Sequence, residues 1–361
     1  MKKFLFVSFT SEQAYTGGLQ CSKRNYKSIC NLLGEDCVIK YTITPYKEKH
    51  SFKTKFKRFK DIFKGYMGGL DDDKVLEVIQ LIQTNNISDV FLDSSLLGKL
   101  AKIIRLRFPT ICIYTFFHNV EYDFVRDYVK FNVDYLRFYW LILAKINEKF
   151  AVENSSKIIS LNSRDANSIK KYYGRNPDIQ IPITLEDKVE REHKLIPSNN
   201  KKALFVGSYF YGNVHGLKWF CSEVLPHTSI ELTIVGAGMD FIKNDLTNTA
   251  NIEIYSNVPD LNPFFDDADF VVLPILSGSG MKVKTAESLM NGKFIIGTDE
   301  AFRGYDITEK VGVICNSAQE FIVAINNLNL SYKFNNQSRN LYLEKYSFES
   351  SLKDFKTIFE L

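Results

Sequence analysis

The sequence predicts an α/β protein built from two doubly wound, parallel-sheet domains. The chain has 361 residues, more than one ordinary hydrophobic core organises. Short apolar segments alternate with segments of helical periodicity, which is typical of a parallel sheet covered by helices. A polar stretch at residues 186–200 separates two such series and indicates a linker between a domain at 1–185 and a domain at 201–345.

The first series begins almost at the amino terminus. The apolar run at 3–9 is interrupted by Ser8 and followed by Thr10, so it predicts a buried strand rather than a secretory signal. Further strands are predicted at 37–42, 89–93, 110–116 and 157–161. Helices are predicted at 18–33, 71–84, 94–108, 131–154 and 163–173.

The second series repeats this alternation after the linker. Strands are predicted at 202–206, 231–235, 252–255, 270–273, 294–297 and 311–314, and helices at 214–224, 261–267, 283–291 and 318–328. We expect a last helix, within 346–361, to pack back towards the first domain. Ligands of doubly wound folds bind at the carboxyl ends of the strands, so we expect a site in a cleft between facing domains.

The composition excludes several classes of protein. The six cysteines form no C-x-x-C pair and no metal-ligand spacing, which argues against a disulfide framework or a zinc site and favours reduced thiols in the cytoplasm. No apolar stretch reaches the roughly 18 to 20 residues that span a bilayer. The net charge is only +4 and no nucleic-acid motif is present, so we expect no nucleic-acid partner.

The positive charge is concentrated in residues 47–64. This segment contains eight Lys or Arg against two acids. Four phenylalanines recur in it at steps of four, three and four, which predicts one face of a helix. That helix either docks its Phe face on the core or lies on an anionic membrane surface. The phenylalanines are Phe52, Phe56, Phe59 and Phe63.

Two glycine-containing turns follow predicted strands. Gly17 and Gly18 open a helix, where the backbone could approach an anion, although a plain tight turn explains them equally well. The run at 234–238 resembles a dinucleotide-binding fingerprint. It has Phe241 where the third glycine belongs, so we do not expect NAD binding.

His118 stands directly after a predicted apolar strand. A histidine at that end of a strand faces the ligand side of a doubly wound fold, where imidazole can donate a hydrogen bond to a sugar hydroxyl or a phosphate. The alternative is a structural capping role.

The segment at 274–287 carries the most specific pattern. A loop of small residues leads from a strand into a helix whose first turn holds Lys282 and Lys284. Cations are unfavourable at a helix amino terminus, unless an anion such as a diphosphate binds between them and the free N–H groups. Glu287 lies deeper in the helix, where it could accept hydrogen bonds from a ribose diol. A solvated lysine pair with a surface glutamate is the alternative.

Residues 279–287, with Met290-Asn291-Gly292-Lys293 after them, resemble the donor-site helix of retaining glycosyltransferases of family 4. The usual motif in that family is E-G-F-G-x-P-x-x-E-A-M-A-x-G. The strand at 267–274 that precedes this loop also fits. Other shared pieces are Val206-Gly207-Ser208, Val235-Gly236, Asn257-Val258-Pro259, Gly17-Gly18, His118-Asn119-Val120-Glu121 and the run from Ser160 to Gly174.

The resemblance implies the GT-B fold, two Rossmann-like domains facing each other across a cleft, and assigns roles to individual residues. Glu287 would hold the ribose, Val258 would place its backbone against the base, Gly18 would approach the diphosphate, and His118 would contact the transferred sugar. The loop formed by Ser279, Gly280 and Met281 would bind the donor sugar.

Two positions depart from the family pattern. Ser279 replaces the first glutamate of the usual pair, and Asn213 stands where a phosphate-binding lysine is common. We therefore interpret Lys282 and Lys284 as replacement cations for the diphosphate.

The resemblance also implies catalysis without a metal or cofactor, because protein cations and helix N–H groups neutralise the leaving diphosphate. The run Asp71-Asp72-Asp73 looks like an acidic metal motif, but it precedes a helical segment and predicts an N-terminal cap instead. No carboxylate nucleophile stands out, so we expect a front-face displacement with retention.

We therefore expect a hexosyltransferase that uses a nucleotide sugar, UDP before GDP, and a saccharide or lipid-linked acceptor in surface-glycan assembly. It would act in the cytoplasm, either free or on the inner face of the membrane through 47–64. The alternatives are a catalytically silent GT-B module that scaffolds a partner enzyme and a sugar-nucleotide 2-epimerase. The epimerase would need acid/base carboxylates that the loop at 274–287 does not supply. A phosphorylase usually requires a longer chain.

Overall fold

The computed structural model describes residues 3–9, 17–44, 52–131, 135–189, 196–246, 251–278 and 280–360. The chain divides into two compact units. The first unit comprises Met1–Pro182 and Ser351–Leu361, and the second comprises Ile183–Ser350.

The described part of the first unit contains a six-stranded, wholly parallel sheet in the order β2-β1-β3-β4-β5-β6. Four of these strands, β1, β3, β4 and β5, are buried at every residue or at all but one, as expected for a sheet that helices cover on both faces. Their bounds are β1 Phe4–Phe9, β2 Val38–Ile43, β3 Asp89–Leu92, β4 Cys112–Phe117, β5 Lys157–Ser160 and β6 Ile179–Gln180.

Helices surround this sheet. One face packs an aliphatic cluster that includes Val78, Val90 and Leu100. On Phe91, the rings of Phe355 and Phe359 from the last helix of the chain pack at 6.2 and 6.4 Å. The helices are α1 Gly17–Leu33, α2 Phe52–Phe63, α3 Asp72–Thr84, α4 Gly98–Arg107, α5 Glu121–Phe131, α6 Tyr135–Asn154 and α7 Ser163–Tyr173, together with the last helix, described below as α14.

The described part of the second unit contains another six-stranded parallel sheet, in the order β12-β11-β10-β7-β8-β9. From β7 the chain adds β8 and β9 on one side of the sheet. It then crosses back to β10 and adds β11 and β12 on the other side. β7 and β10 are therefore neighbours at a topological switch point. The bounds are β7 Lys202–Val206, β8 Glu231–Gly236, β9 Ile252–Ser256, β10 Phe270–Leu273, β11 Phe294–Gly297 and β12 Gly312–Ile314.

The helices of this unit are shorter. Several begin at capping side chains: the Thr298 hydroxyl caps one, and Ser317 and Glu320 form a capping box at another. The last helix starts in this unit and continues into the first. The bounds are α8 Tyr211–Glu223, α9 Asn262–Asp267, α10 Val283–Met290, α11 Asp299–Phe302, α12 Ala318–Asn326, α13 Asn336–Leu341 and α14 Phe348–Phe359.

The predicted fold class is confirmed by these two parallel sheets. Two helical predictions need correction. The helix expected at 131–154 is preceded by a separate helix, α5, and the one expected at 94–108 begins as a 3-10 turn at Ser95–Leu97. The N-terminal cap predicted at Asp71 is confirmed, because its carboxylate accepts a hydrogen bond from the Lys74 N–H at 3.0 Å.

The basic segment contains α2. Two of its phenylalanines are not packed as expected for a helix that docks its Phe face on the core. Phe59 and Phe63 are 60% and 69% exposed and contact each other with ring centroids 4.7 Å apart. The idea that the Phe face packs on the core is therefore wrong for these two residues. The side chains of Phe52 and Phe56, and residues 47–51, lie outside the described part of the chain. None of the helices in the described ranges is long and apolar enough to cross a bilayer.

Candidate functional site

The second unit brings polar groups together at its switch point. The loop after β7 begins at Gly207, and the loop after β10, at 274–282, leads into α10. The carboxyl ends of both strands and the amino termini of α8 and α10 therefore meet in one place. Such a place exposes helix N–H groups and suits an anionic ligand.

Lys284 provides a positive charge at this switch point. Its Nζ donates a hydrogen bond to Asn213 Oδ1 on α8 and lies 4.9 Å from the centroid of the Phe205 ring. Within the described residues, no carboxylate lies within ion-pair distance of Lys284. Burial, and then the neighbouring Lys282, lower the pKa of Lys284 to about 7, although Glu287 acts in the opposite direction. An anion bound here would supply the missing counter-charge.

The space around this ammonium depends on a glycine. A Cβ atom at Gly207 would lie 3.1 Å from Lys284 Nζ and 2.9 Å from Asn213 Nδ2. Any larger residue at the end of β7 would thus displace the lysine and the asparagine.

Asn213 explains how the departure from the family pattern is accommodated. The sequence places an amide where the resemblance expects a lysine. The amide Nδ2 donates to the Ser208 carbonyl at 2.8 Å, which orients its oxygen towards Lys284. The ammonium of residue 284 therefore lies against position 213.

Lys282 has a different environment from Lys284. Its Nζ donates to the Glu300 carboxylate at 2.7 Å and to the Gly280 carbonyl at 3.0 Å. Glu300 also pairs with Arg303 at 3.0 Å. The backbone carbonyl of Lys282 accepts a hydrogen bond from the Tyr305 hydroxyl at 2.7 Å. These contacts tie the loop before α10 to the segment that follows β11.

Glu287 lies one turn after Lys284 on α10. Its carboxylate accepts no hydrogen bond from any residue that the structure describes, although its backbone carbonyl accepts one from Asn291. Burial raises the pKa of Glu287, and the charges of Lys284 and Lys188 oppose this. A half-buried carboxylate with open acceptor positions can bind a diol.

The remaining predicted residues of this unit line the same two loops or the next one. Gly280 is in the left-handed region at φ +66°, and Met281 is buried. Val258 follows β9 and is preceded by Asn257, whose side-chain oxygen accepts from the Gly238 N–H at 3.3 Å. Ser279 lies outside the described residues.

In the first unit, His118 follows β4 and contacts the residue that follows β3. Its Nε2 lies 3.0 Å from the Asp93 carbonyl oxygen and 3.2 Å from Asp93 Oδ1. Asn25 on α1 donates to the same carboxylate at 2.7 Å. Burial lowers the pKa of His118, but Asp93 and Cys21 together outweigh this, so the pKa lies well above its ordinary value. His118 Nδ1 is buried and makes no hydrogen bond of standard geometry with a described residue, although the Cys21 side chain interacts with the ring.

Two further charged or titratable groups surround this histidine from α1. Arg24 donates from its guanidinium to Cys21 Sγ at 3.2 Å and to Asn25 Oδ1 at 2.9 Å. Burial raises the pKa of Cys21, yet Arg24 and His118 outweigh it, so the net pKa is lowered. The histidine thus belongs to a charged network with two cationic and two anionic or acidic members.

A buried carboxylate fixes the chain that follows His118. Glu148 on α6 accepts hydrogen bonds from the N–H groups of Glu121 and Tyr122, at 2.7 and 3.2 Å, and from the Tyr173 hydroxyl at 2.7 Å. It therefore caps α5 from another helix. Burial raises the pKa of Glu148 to about 8.

Gly18 lies in the first turn of α1 and is exposed. A Cβ atom added to Gly18 would meet no described atom within 4 Å. In the free protein nothing that the structure describes therefore requires glycine at this position. The residues that sequence reasoning missed are Asp93, Asn25, Glu148 and Glu300. Of these, only Asp93 had a sequence indication, a polar residue directly after a buried strand.

No group of three or more His, Cys, Asp or Glu side chains able to hold a metal ion occurs in the described ranges. The Asp71–Asp73 run is engaged elsewhere. Asp71 pairs with Lys57 at 2.8 Å, and Asp72 pairs with Lys64.

The second unit matches a known family. Residues 200–329 match the family described as "Glycosyl transferases group 1". A curated relative, an uncharacterized 44.6 kDa protein in the cps region of Klebsiella pneumoniae, is 23% identical over 227 residues. The match covers 59% of this chain and 55% of that protein, so it spans little more than half of the relative's length.

Solved glycosyltransferase structures share the fold of the whole chain. The apo form of the lipopolysaccharide outer core galactosyltransferase WaaB superposes with a TM-score of 0.67 at 12% identity and covers 99% of both chains. Anabaena HepE in complex with UDP gives 0.64 at 12% identity, covering 99% of this chain and 100% of that one. S. aureus TarM, with UDP and α-GlcNAc-glycerol, gives 0.65 at 11% identity over the full length of both chains.

These similarities agree with the geometry of the second unit. The family match includes both loops of the switch point and the whole of α10. Residues 200–329 are therefore similar to glycosyl transferases of group 1, and the chain shares the fold of these solved structures.

Proposed function

We propose that this protein transfers a hexosyl unit from a nucleotide-diphosphate sugar to a saccharide or lipid-linked acceptor, with retention, in the assembly of a surface polysaccharide or glycoconjugate. The observation that carries the proposal is Lys284. Its ammonium has no described carboxylate partner, lies at the switch point beside two helix amino termini, and occurs within the family match.

In this proposal, different residues of the second unit bind different parts of the nucleotide. Lys284 and the N–H groups of α10 neutralise the diphosphate, which makes it a better leaving group. Glu287 accepts hydrogen bonds from the ribose hydroxyls, and the backbone at Val258 lies against the base. Lys282 contributes less to phosphate binding than Lys284, because Glu300 already neutralises its charge at 2.7 Å. Lys282 instead shapes the loop at 280–282. That loop and Ser279 together hold the donor sugar.

In the first unit, Gly18 lets the α1 backbone approach the diphosphate, and His118 contacts the transferred sugar. One property of His118 supports this role, because Asp93 helps to hold the imidazole in its charged form. A charged imidazole donates a hydrogen bond to a sugar hydroxyl more strongly than a neutral one does.

We further propose front-face displacement without a metal. The leaving phosphate would assist the incoming hydroxyl, and Lys284 with helix N–H groups would carry the charge that a metal ion carries in other transferases. UDP is the favoured nucleotide, since HepE and TarM were both solved with UDP. The location of the curated relative in a cps region supports a role in polysaccharide synthesis.

We propose that the protein acts at the cytoplasmic face of a membrane, where a lipid-linked acceptor would be presented. The basic segment at 47–64 supports this, since it combines cations with the exposed rings of Phe59 and Phe63.

A thermal-shift screen with UDP, GDP, dTDP and their sugars tests the proposal. A nucleotide at about 100 times its Kd should stabilise the protein by about 2.7 kcal/mol. Loss of the Lys284 charge removes a contact to a charged group, so Lys284→Ala should weaken nucleotide binding by about 10- to 150-fold. Lys310→Ala, an exposed lysine of the same unit, is the matched control.

Transfer is then measured with the stabilising sugar nucleotide and membrane or saccharide extracts as acceptors. Stabilisation by no nucleotide, or equal affinity of the Lys284→Ala variant, would contradict the proposed site. Binding without hydrolysis or transfer would instead favour a silent module that scaffolds a partner enzyme.

A further inference from the structure

Helix α6 of the first unit exposes an apolar face. Phe138, Ile142 and Ile146, spaced four residues apart on one side of the helix, are 60%, 43% and 39% exposed, and Tyr139 also lies open. Trp140 is 41% exposed on the other side, one turn before Leu143 and Ala144. The opposite side of the helix buries Leu143 and Ala144 against the unit. A helix that covers a sheet normally presents polar side chains to water, so this apolar outer face requires an explanation.

Two helices that lie near α6 also expose apolar side chains. Phe59 and Phe63 project from α2, and Leu106 on α4 is 72% exposed. The fully buried Asn147 of α6 joins the three elements. Its Nδ2 donates to the Gly65 carbonyl, just after α2, at 3.0 Å, and its Oδ1 accepts from the Lys99 N–H of α4 at 3.0 Å.

The exposed charges on these helices are mostly positive. α4 contains four cations and no acid. On α6, Lys145 and Lys149 are exposed and Glu148 is buried and caps α5, while the exposed Glu153 pairs with Lys149 at 3.7 Å. On α2 the acid Asp61 is buried. Two cations of α2 are engaged, since Lys57 and Lys64 pair with Asp71 and Asp72. The exposed surface therefore combines aromatic rings with a net positive charge.

We propose that α2, α4 and α6 form a docking face for an anionic phospholipid bilayer. The side chains of Phe59, Phe63, Phe138 and Ile142 would enter the interface between headgroups and acyl chains, and the lysines would meet the anionic headgroups. Aromatic side chains prefer that depth, because one part of the bilayer boundary is apolar and the other is wet.

Charge favours lipid over a second copy of the chain. A two-fold dimer through this face would place the same cations opposite each other, and like charges across an interface weaken binding. An anionic bilayer removes that conflict. This inference extends the basic segment at 47–64 to two further helices and concerns binding rather than turnover, so it can be tested whether or not the proposed transfer activity is found.

The chain has two tryptophans, Trp140 and Trp219, which allows a direct measurement. Both are replaced by phenylalanine, and Phe138→Trp is added, so that all tryptophan emission comes from position 138 on the exposed face of α6. We expect that emission to shift to the blue with vesicles of phosphatidylcholine and phosphatidylglycerol, and to remain unchanged with phosphatidylcholine alone. An unshifted emission with anionic vesicles, or an equal shift with both, would overturn the proposal.

Vesicle co-sedimentation separates the apolar and electrostatic contributions. Phe138→Ser with Ile142→Ser should weaken binding at least tenfold, whereas Leu343→Ser, a similarly exposed leucine of the second unit, should not. Lys145→Glu with Lys149→Glu should weaken it by about 25-fold, since each basic residue at an anionic surface contributes about fivefold. Lys170→Glu, on α7 of the same unit, is the matched charge control.

The variants are compared at low and high salt, with melting temperatures as a check on folding. High salt should remove most of the difference between the lysine variant and the wild type. Equal losses in the control variants would overturn the proposal. It would also be overturned by light scattering that shows a wild-type dimer and a monomeric Phe138→Ser, Ile142→Ser variant, because the face would then join two copies of the chain.

Discussion

At the scale of single residues, Lys284 links the proposed nucleotide site to pH. In the free protein, burial and Lys282 lower its pKa to about 7, and Glu287 is the facing group that opposes them. A bound diphosphate favours the charged form, so the pKa of Lys284 should rise in the complex. Binding therefore takes up a proton above pH 7. We expect the affinity for a UDP-sugar to fall as pH rises from 7 to 9, by up to about tenfold per unit.

Calorimetry in buffers of different ionisation enthalpy measures this uptake. A UDP-sugar is the better probe, because its diphosphate has no second ionisation near neutral pH. Lys284→Arg keeps a charge throughout this range and should bind with little pH dependence. A wild-type affinity that does not change between pH 7 and 9 would show that Lys284 is not next to the diphosphate.

His118 provides a second prediction at this scale. Asp93 keeps the imidazole charged, with Cys21 and Arg24 as the other nearby charged or titratable groups. Asp93→Asn removes the carboxylate, so the pKa of His118 should fall and activity should decline as pH rises through the new value. The wild type should not show this decline. His118→Ala should lower kcat by one or more orders of magnitude with a nearly unchanged melting temperature; a collapse of folding would favour a structural role.

At the scale of elements, the loop before α10 is held by a pair of side chains on different segments. Lys282 and Glu300 are joined at 2.7 Å, and the Tyr305 hydroxyl binds the Lys282 carbonyl. Because the two charges act together, we expect Lys282→Met and Glu300→Gln to weaken donor binding to a similar extent. The double variant should be little worse than either, with a coupling of about 0.5–3 kcal/mol. A double-mutant cycle on donor affinity measures this coupling.

Lys284→Ala is the comparison for that cycle, and it should weaken binding of the nucleotide diphosphate itself more than Lys282→Met does. If Lys282→Met cost as much affinity as Lys284→Ala while Glu300→Gln cost nothing, Lys282 would contact the phosphate, as the sequence alone predicts.

Elements with buried apolar sequences were predictable, and contacts between distant side chains were not. The strands Phe270–Leu273 and Phe294–Gly297 agree with prediction to the residue, because four consecutive apolar or small residues fit only a buried strand there. Helix α5 was missed, because its cap comes from Glu148, 27 residues away. Lys284 was identified from its position in α10, but its partner Asn213 and the pairing of Lys282 with Glu300 depend on the tertiary fold.

At the scale of the whole molecule, the two units have separate cores, and the end of the chain completes the first one. Phe355 and Phe359 of α14 pack on Phe91, and Phe359 also contacts Phe4 with ring centroids 5.1 Å apart. Phe355 is fully buried. Truncation of a buried phenylalanine to alanine costs about 3–5 kcal/mol, so Phe355→Ala should destabilise the first unit by that amount.

Hydrogen–deuterium exchange resolves which unit responds. Because each core is buried within its own unit, Phe355→Ala should accelerate exchange in β1 and β3, and strands β7 and β10 should retain protection that UDP increases. Phe321→Ala is the matched control, since Phe321 is equally buried and packs on Phe220 at 5.7 Å in the second unit. It should show the opposite pattern. Unchanged exchange in β3 of the Phe355→Ala protein would mean that α14 adds nothing to the first core, and equal acceleration in both units would mean that they unfold as one cooperative body.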